Sequence, residues 1–261
     1  MDDTVTPADD STIPQGARPV RWESAGRSHP GRVRAVNEDA LLDRPEIGLW
    51  AVADGVGGES AGDRASRMVV EALGRVGEPT AAIAFLTEVR DNLQAANGLL
   101  RVEAAAAGSD RLIASTIVTL LVFGQHFACA WAGDSRLYLW RKGRLRQISR
   151  DHSEVQELID CGMLTPREAR GHPHSNIVTR AVGAESELVL EMVQDQFRPG
   201  DLFLLCSDGL TKELTDDEIA ALLPVRPLAR TADDLIEAAL RHGGSDNVTV
   251  VLVEAMDASD G

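Results

Sequence analysis

The stretch STIVTLLVFGQHFACAWAG, residues 115–133, decides the fold. Two apolar runs, Ser115–Phe123 and His126–Gly133, flank the tight link Gly124-Gln125. Runs of this length, rich in Val, Ile, Phe and Trp, read as strands, and a two-residue link with glycine closes them into an antiparallel hairpin. The longest apolar stretches of the chain all lie between polar segments, as buried strands do.

Working outward, GLWAVAD (Gly48–Asp54) is a short apolar strand that stops at an Asp-Gly turn. RLYLW (Arg136–Trp140) leads through Arg141–Arg144 into another short strand. LVLEMVQ (188–194), DLFLLCSD (201–208) and NVTVVLVE (247–254) complete the strand set. Ala61–Val76 carries apolar residues at helical spacing, and Thr80–Ala107 holds one long helix or two short ones. Thr165 with Glu168, and Thr215 with Glu218, form N-terminal capping patterns. A last helix runs from Thr231 to His242 and ends at Gly243-Gly244. Hairpin-linked strands with helices early and late predict an α+β fold of antiparallel sheets covered by helices. A doubly wound parallel sheet is the weaker reading, because continuous β-α-β alternation is absent.

The 261 residues are 44 % hydrophobic and 26 % charged, which suits one enzyme-sized domain and excludes a wholly disordered chain. Residues 1–20 read as a disordered tail, 21–255 as the domain, and 256–261 as a loose C-terminus. No apolar run reaches membrane-spanning length, and the acidic N-terminus lacks the pattern of a signal peptide, so a cytoplasmic location is expected. A formal net charge of −15 disfavours nucleic acid and anionic membranes as partners. Cys129 and Cys206 read as buried small hydrophobes, Cys161 as exposed, and no cysteine spacing suggests zinc. Nothing in the pattern suggests an obligate oligomer, and a monomer is expected.

Four acidic positions stand out: Glu38-Asp39 in RAVNEDA, Asp54 and Asp208 at the ends of strand candidates, and Asp246 just before one. Strand ends are rigid places from which to aim short carboxylates. Hard divalent ions take oxygen ligands, and converging aspartates repel unless a cation neutralises them. A single Asp-Gly reads first as a β-turn, and it is the recurrence that weakens that reading. On the residues alone, a metal site and a set of turns both stand.

The segments Arg34–Asp39, Asp54–Gly58, Ser115-Thr116, Gly133–Arg136, Asp151–Ser153, Arg180–Gly183, Ser207–Leu210 and Gly244–Asn247 resemble, in order, the blocks of the bacterial metal-dependent Ser/Thr protein phosphatases, the PP2C-like family. They cover nearly all of residues 22–254. The resemblance implies a four-layer αββα sandwich and a centre of two Mn²⁺ or Mg²⁺ ions with a weaker third. It implies that Asp54 bridges the ions, that Glu38 and the Gly55 carbonyl serve one, and that Asp208 and Asp246 hold the other. Asp39 would be a further ligand or an orienter of water, and Asp134 would help hold the third ion. Arg34 would grip two phosphoryl oxygens with its rigid fork. The implied reaction is hydrolysis of phosphoserine or phosphothreonine by a metal-activated water. Some eukaryotic members place a histidine where this chain has Val56, so the proton donor is unassigned. His152 reads as structural. Residues 151–180 match the flap beside the active site, and its His172 and His174 lack the further ligands that zinc needs.

The alternative function is a non-catalytic phosphoprotein-binding module on the same fold, which needs lost ligands; all the expected carboxylates are present. The expected partners are phosphorylated proteins and a cognate bacterial Ser/Thr kinase. The wording WESAGRSHPGRVRAVNEDALL and IGLWAVADG is similar to phosphatases encoded with type VI secretion systems, which implies a forkhead-associated protein as a further partner.

Overall fold

The computed structural model describes residues 20–57, 61–108 and 112–257. The predicted tail therefore lies, but for Val20, outside the described residues, as do Gly58 of the Asp54–Gly58 block and the last four positions.

Among the described residues, eleven strands form two antiparallel sheets. The first sheet has the order β1 (Val20–His29), β11 (Val248–Asp257), β10 (Leu202–Cys206), β7 (Arg136–Arg141), β8 (Arg144–Gln147). The second runs β2 (Asp39–Arg44), β3 (Leu49–Val56), β5 (Ile117–Phe123), β6 (His126–Ala132), β9 (Glu191–Gln196), with the two-residue β4 (Ala114–Ser115) also paired to β3. The predicted hairpin is present as β5–β6, joined at Gly124-Gln125.

Side chains alternate across each strand, and both faces of the inner strands are covered. Trp50, Val52, Val118 and Leu120 meet Leu137, Leu139, Phe203, Leu205 and Val251 in the layer between the sheets. Leu49, Ala51, Ala53, Ile117 and Leu121 point the other way, onto α1 (Ala61–Gly74) and α2 (Ala82–Ala107). Leu202, Leu204, Val250 and Leu252 pack beneath α5 (Asp208–Glu213), α6 (Asp216–Leu222) and α7 (Leu228–His242). The result is the αββα sandwich. Burial on both faces explains why the inner strands read as unbroken apolar runs. Two short helices, α3 (Glu154–Asp160) and α4 (Pro166–Ala169), lie between β8 and β9. Both predicted capping boxes are present, at Thr165–Glu168 and Thr215–Glu218.

Several expectations are corrected. β1 and β2 were not expected as strands. Met256 and Asp257 are not loose, because they extend β11 opposite Arg21 and Val20. Asp208 does not end a strand: β10 stops at Cys206, and Asp208 opens α5. Thr80–Ala107 resolves into one 26-residue helix.

Candidate metal centre

The acidic residues meet at one edge of the sandwich, where ends of both sheets and the loops between them line a cleft of about 930 Å³. Its wall includes Arg34, Glu38, Asp54, Gly55, Asp134, Asp208, Lys212 and Asp246. Asp39 is the one predicted site residue behind that wall. It faces Asp54 across the β2–β3 pair, and its Oδ2 accepts a hydrogen bond from Ser207 Oγ at 2.8 Å.

Each side chain is aimed by a backbone anchor. The Asp54 N–H donates to Thr116 Oγ1 at 3.0 Å, and its carbonyl accepts from Ser115 Oγ and the Thr116 N–H. Thr116 Oγ1 also shares a 2.8 Å hydrogen bond with Ser135, which ties Asp54 to the turn carrying Asp134. The Glu38 N–H donates to Asn247 Oδ1 at 2.8 Å, while Asn247 Nδ2 donates to the carbonyls of Pro30 and Val36. Asn247 thus fastens the Arg34–Glu38 loop to the start of β11, beside Asp246. His152 lies outside the cleft. It is stacked on Trp131, and its Nδ1 accepts from the Gly133 N–H next to Asp134.

The glycines that follow Asp54 and Asp208 do not serve as left-handed turn residues, since neither has positive φ. They permit close approach. A Cβ on Gly55 would collide with the Gly62 carbonyl, and one on Gly209 with the Asn247 carbonyl. Gly62 has the same role: a Cβ there would sit 2.6 Å from Glu38 Oε1 and 2.7 Å from the Gly55 carbonyl oxygen. The Glu38 carboxylate and the Gly55 carbonyl, expected to share a ligand, therefore border the same small space.

The electrostatics record the crowding. Burial, then the Asp39 and Asp208 charges, push Asp54 well above the usual carboxylate range. Burial, reinforced by Asp208, raises Asp134 to about 8. Burial raises Asp39 to about 7 although Thr249 and Ser207 donate to it. Asp208 is also raised by burial, against the pull of Lys212. Asp246 is lowered: its burial acts upward, but Lys212 and Arg34 outweigh it. Arg34 grips Asp246 with Nε to Oδ1 at 2.9 Å and Nη2 to Oδ2 at 3.1 Å.

Two buried carboxylate oxygens, Asp39 Oδ1 and Asp208 Oδ1, have no hydrogen-bond partner. An orphaned buried carboxylate oxygen is costly, and a cation relieves it. Oxygen-only donors, several raised carboxylates and two orphaned oxygens fit a hard divalent ion such as Mn²⁺ or Mg²⁺. Among the described residues, no three acidic, histidine or cysteine side chains already close on one point as a finished shell. The cations that meet these carboxylates are Arg34 and Lys212.

The geometry sets the context for likeness to known proteins. The Protein phosphatase 2C family profile matches residues 25–252. The chain belongs to the protein phosphatase 2C family. Within that family it is 38 % identical over 234 residues to the serine/threonine protein phosphatase PstP of Mycobacterium tuberculosis, covering 89 % of this chain and 45 % of PstP. It thus spans less than half the length of that relative. The structure of the PstP catalytic domain in complex with two manganese ions matches at 36 % identity and TM-score 0.83, covering 92 % of this chain and all of that one. PppA, a key regulatory component of the type VI secretion system in Pseudomonas aeruginosa, matches at 43 % identity and TM-score 0.83, covering 90 % of this chain and 98 % of that chain.

Sequence reasoning assigned no role to Lys212, Asn247 or Gly62. Lys212 stands four residues after Asp208, the spacing of a helical ion pair, but the segment was not expected to be helical. Gly62 falls in the first turn of a predicted helix, where glycine is unfavourable and signals close approach.

Proposed function

We propose that this chain is a metal-dependent protein serine/threonine phosphatase that hydrolyses phosphoserine and phosphothreonine in proteins. The observation that carries the reading is the convergence of Glu38, Asp54, Asp134, Asp208 and Asp246, with Arg34, on one cleft backed by orphaned carboxylate oxygens. Asp54, Glu38 and the Gly55 carbonyl, with Asp208 and Asp246, would hold the two ions. Asp134 would help hold a weaker third, and Asp39 would be a further ligand or an orienter of water. Mn²⁺ or Mg²⁺ bound there supplies the Lewis acidity that activates water and neutralises phosphoryl charge. Arg34, with a side chain 53 % exposed, leaves Asp246 to grip two phosphoryl oxygens. Val56 cannot donate a proton, so the leaving oxygen takes its proton from solvent or another group in the cleft.

The non-catalytic alternative needs a depleted carboxylate set, and every expected carboxylate is present. Likeness to PppA supports a role beside a type VI secretion system. The partners we propose, on the sequence resemblance alone, are a cognate Ser/Thr kinase and a forkhead-associated protein, and the location and state we propose are the cytoplasm and a monomer. Among the described residues, no helix is long and apolar enough to cross a membrane.

Phosphate release from a phosphothreonine peptide tests the activity. Turnover with added Mn²⁺ that stops on chelation is expected. Metal-independent turnover, or none in folded protein supplied with Mn²⁺ and Mg²⁺, would overturn the reading.

A further inference from the structure

Lys212 is the cation at the centre of the carboxylate cluster. Its Nζ lies 2.5 Å from Asp208 Oδ2 and 3.1 Å from Asp246 Oδ2. The Asp208 contact alone is an ordinary i, i+4 helix pair. The Asp246 contact is not, because Asp246 comes from the loop before β11. Lys212 is also held in place. The next residue, Glu213, accepts hydrogen bonds from the Ser245 N–H at 2.8 Å and Ser245 Oγ at 2.6 Å, which staples the end of α5 to the loop that carries Asp246. The Lys212 side chain is 28 % exposed and borders the cleft.

We propose that Lys212 is a built-in competitor for the metal at the Asp208–Asp246 pair: it holds the two carboxylates together without metal and lowers the affinity of that position for divalent ions. The inference rests on the metal-centre reading above and adds to it a residue that sets affinity. An ammonium group is a compact charge on a flexible stem, so it can neutralise the pair and still swing aside. A dication that takes Asp208 and Asp246 must displace the ammonium or bind against its repulsion. Asp246 is gripped by Arg34 as well, so Lys212 and Arg34 together engage both of its oxygens. Removing the Lys212 charge frees Asp208 Oδ2 and releases one of the two cations on Asp246.

The test is calorimetric titration of the full chain with Mn²⁺, beside thermal melting in chelator, for the parent, Lys212→Met, Lys212→Gln and Lys212→Arg. Circular dichroism establishes that each variant is folded, and the Gln variant stands in if the Met variant is not. The neutral variants are expected to bind Mn²⁺ about tenfold more tightly at one position and to melt at lower temperature in chelator. The charge-keeping Arg variant is expected to stay close to the parent in both. Unchanged or weaker Mn²⁺ binding by folded neutral variants, with the parent binding normally, overturns this inference alone. A parent that binds no Mn²⁺ overturns the metal-centre reading and this inference with it.

Discussion

Strand β3 passes from one kind of interior to another. Trp50 and Val52 are fully buried between the sheets, and Asp54, two residues further and on the same face, enters the cleft. Between the sheets, packing is apolar and edge-on, as in the Phe127–Phe203 pair with ring centroids 4.9 Å apart. At the edge, the same rigid strands bring like charges together; burial raises the pKa of Asp54 and Asp134, two carboxylate oxygens lack a partner, and Asp208 and Asp246 lean on Arg34 and Lys212. The layer between the sheets is apolar and buried. The cleft holds two buried carboxylate oxygens without a hydrogen-bond partner. The two regions teach that the first supplies the free energy against which the second is held in an unfavourable arrangement.

The largest effect that separates them is on stability. Phe203→Ala opens the layer between the sheets and is expected to lower unfolding free energy by about 3–5 kcal/mol in urea melts, with or without metal. A loss that appeared only in the presence of metal would mean that core and cleft are not independent.

A smaller effect comes from pH and should touch the cleft alone. Asp39 and Asp134 have folded-state values of about 7 and about 8, raised by burial above those of the unfolded chain. From about pH 4 upward the folded state therefore binds more protons than the unfolded state, and stability falls as pH rises through about 8. The slope is at most ~1.4 kcal/mol per pH unit for each carboxylate still protonated in the fold. Melting in chelator should show this decline from pH 5 to 8, and saturating Mn²⁺ should flatten it, because the metal binds the deprotonated ligands. A melting temperature that rises over this range without metal would remove the electrostatic contrast.

The same division explains what was legible in the sequence. Inner strands such as β3, β5 and β10 read as unbroken apolar runs because both faces are covered. β1 did not, since most of it is only half-buried and its pairing with β11 joins residues more than 200 positions apart. β2 carries partly exposed residues on the edge of its sheet and gave no local signal. Asp54, Asp208 and Asp246 were visible beside apolar strand runs, Glu38 and Asp39 only as adjacent acids, and family resemblance alone made them a set. The role of Gly55 was misread as a turn, because a collision with the Gly62 carbonyl is a tertiary fact. Lys212 was passed over for a similar reason: its second partner, Asp246, lies 34 positions away.

We propose that the carboxylates at the sheet edge form a divalent-metal centre organised around Asp54. Equilibrium binding of Mn²⁺ to the parent and to Asp54→Asn tests it most directly. At least two Mn²⁺ per chain are expected in the parent, and an affinity loss in the variant beyond the ~10²-fold typical of residues that only support a ligand. The variant should stay folded and, in chelator, melt no lower than the parent, since one of the crowded charges is gone. Equal Mn²⁺ binding by parent and variant, or none by the parent, would contradict it.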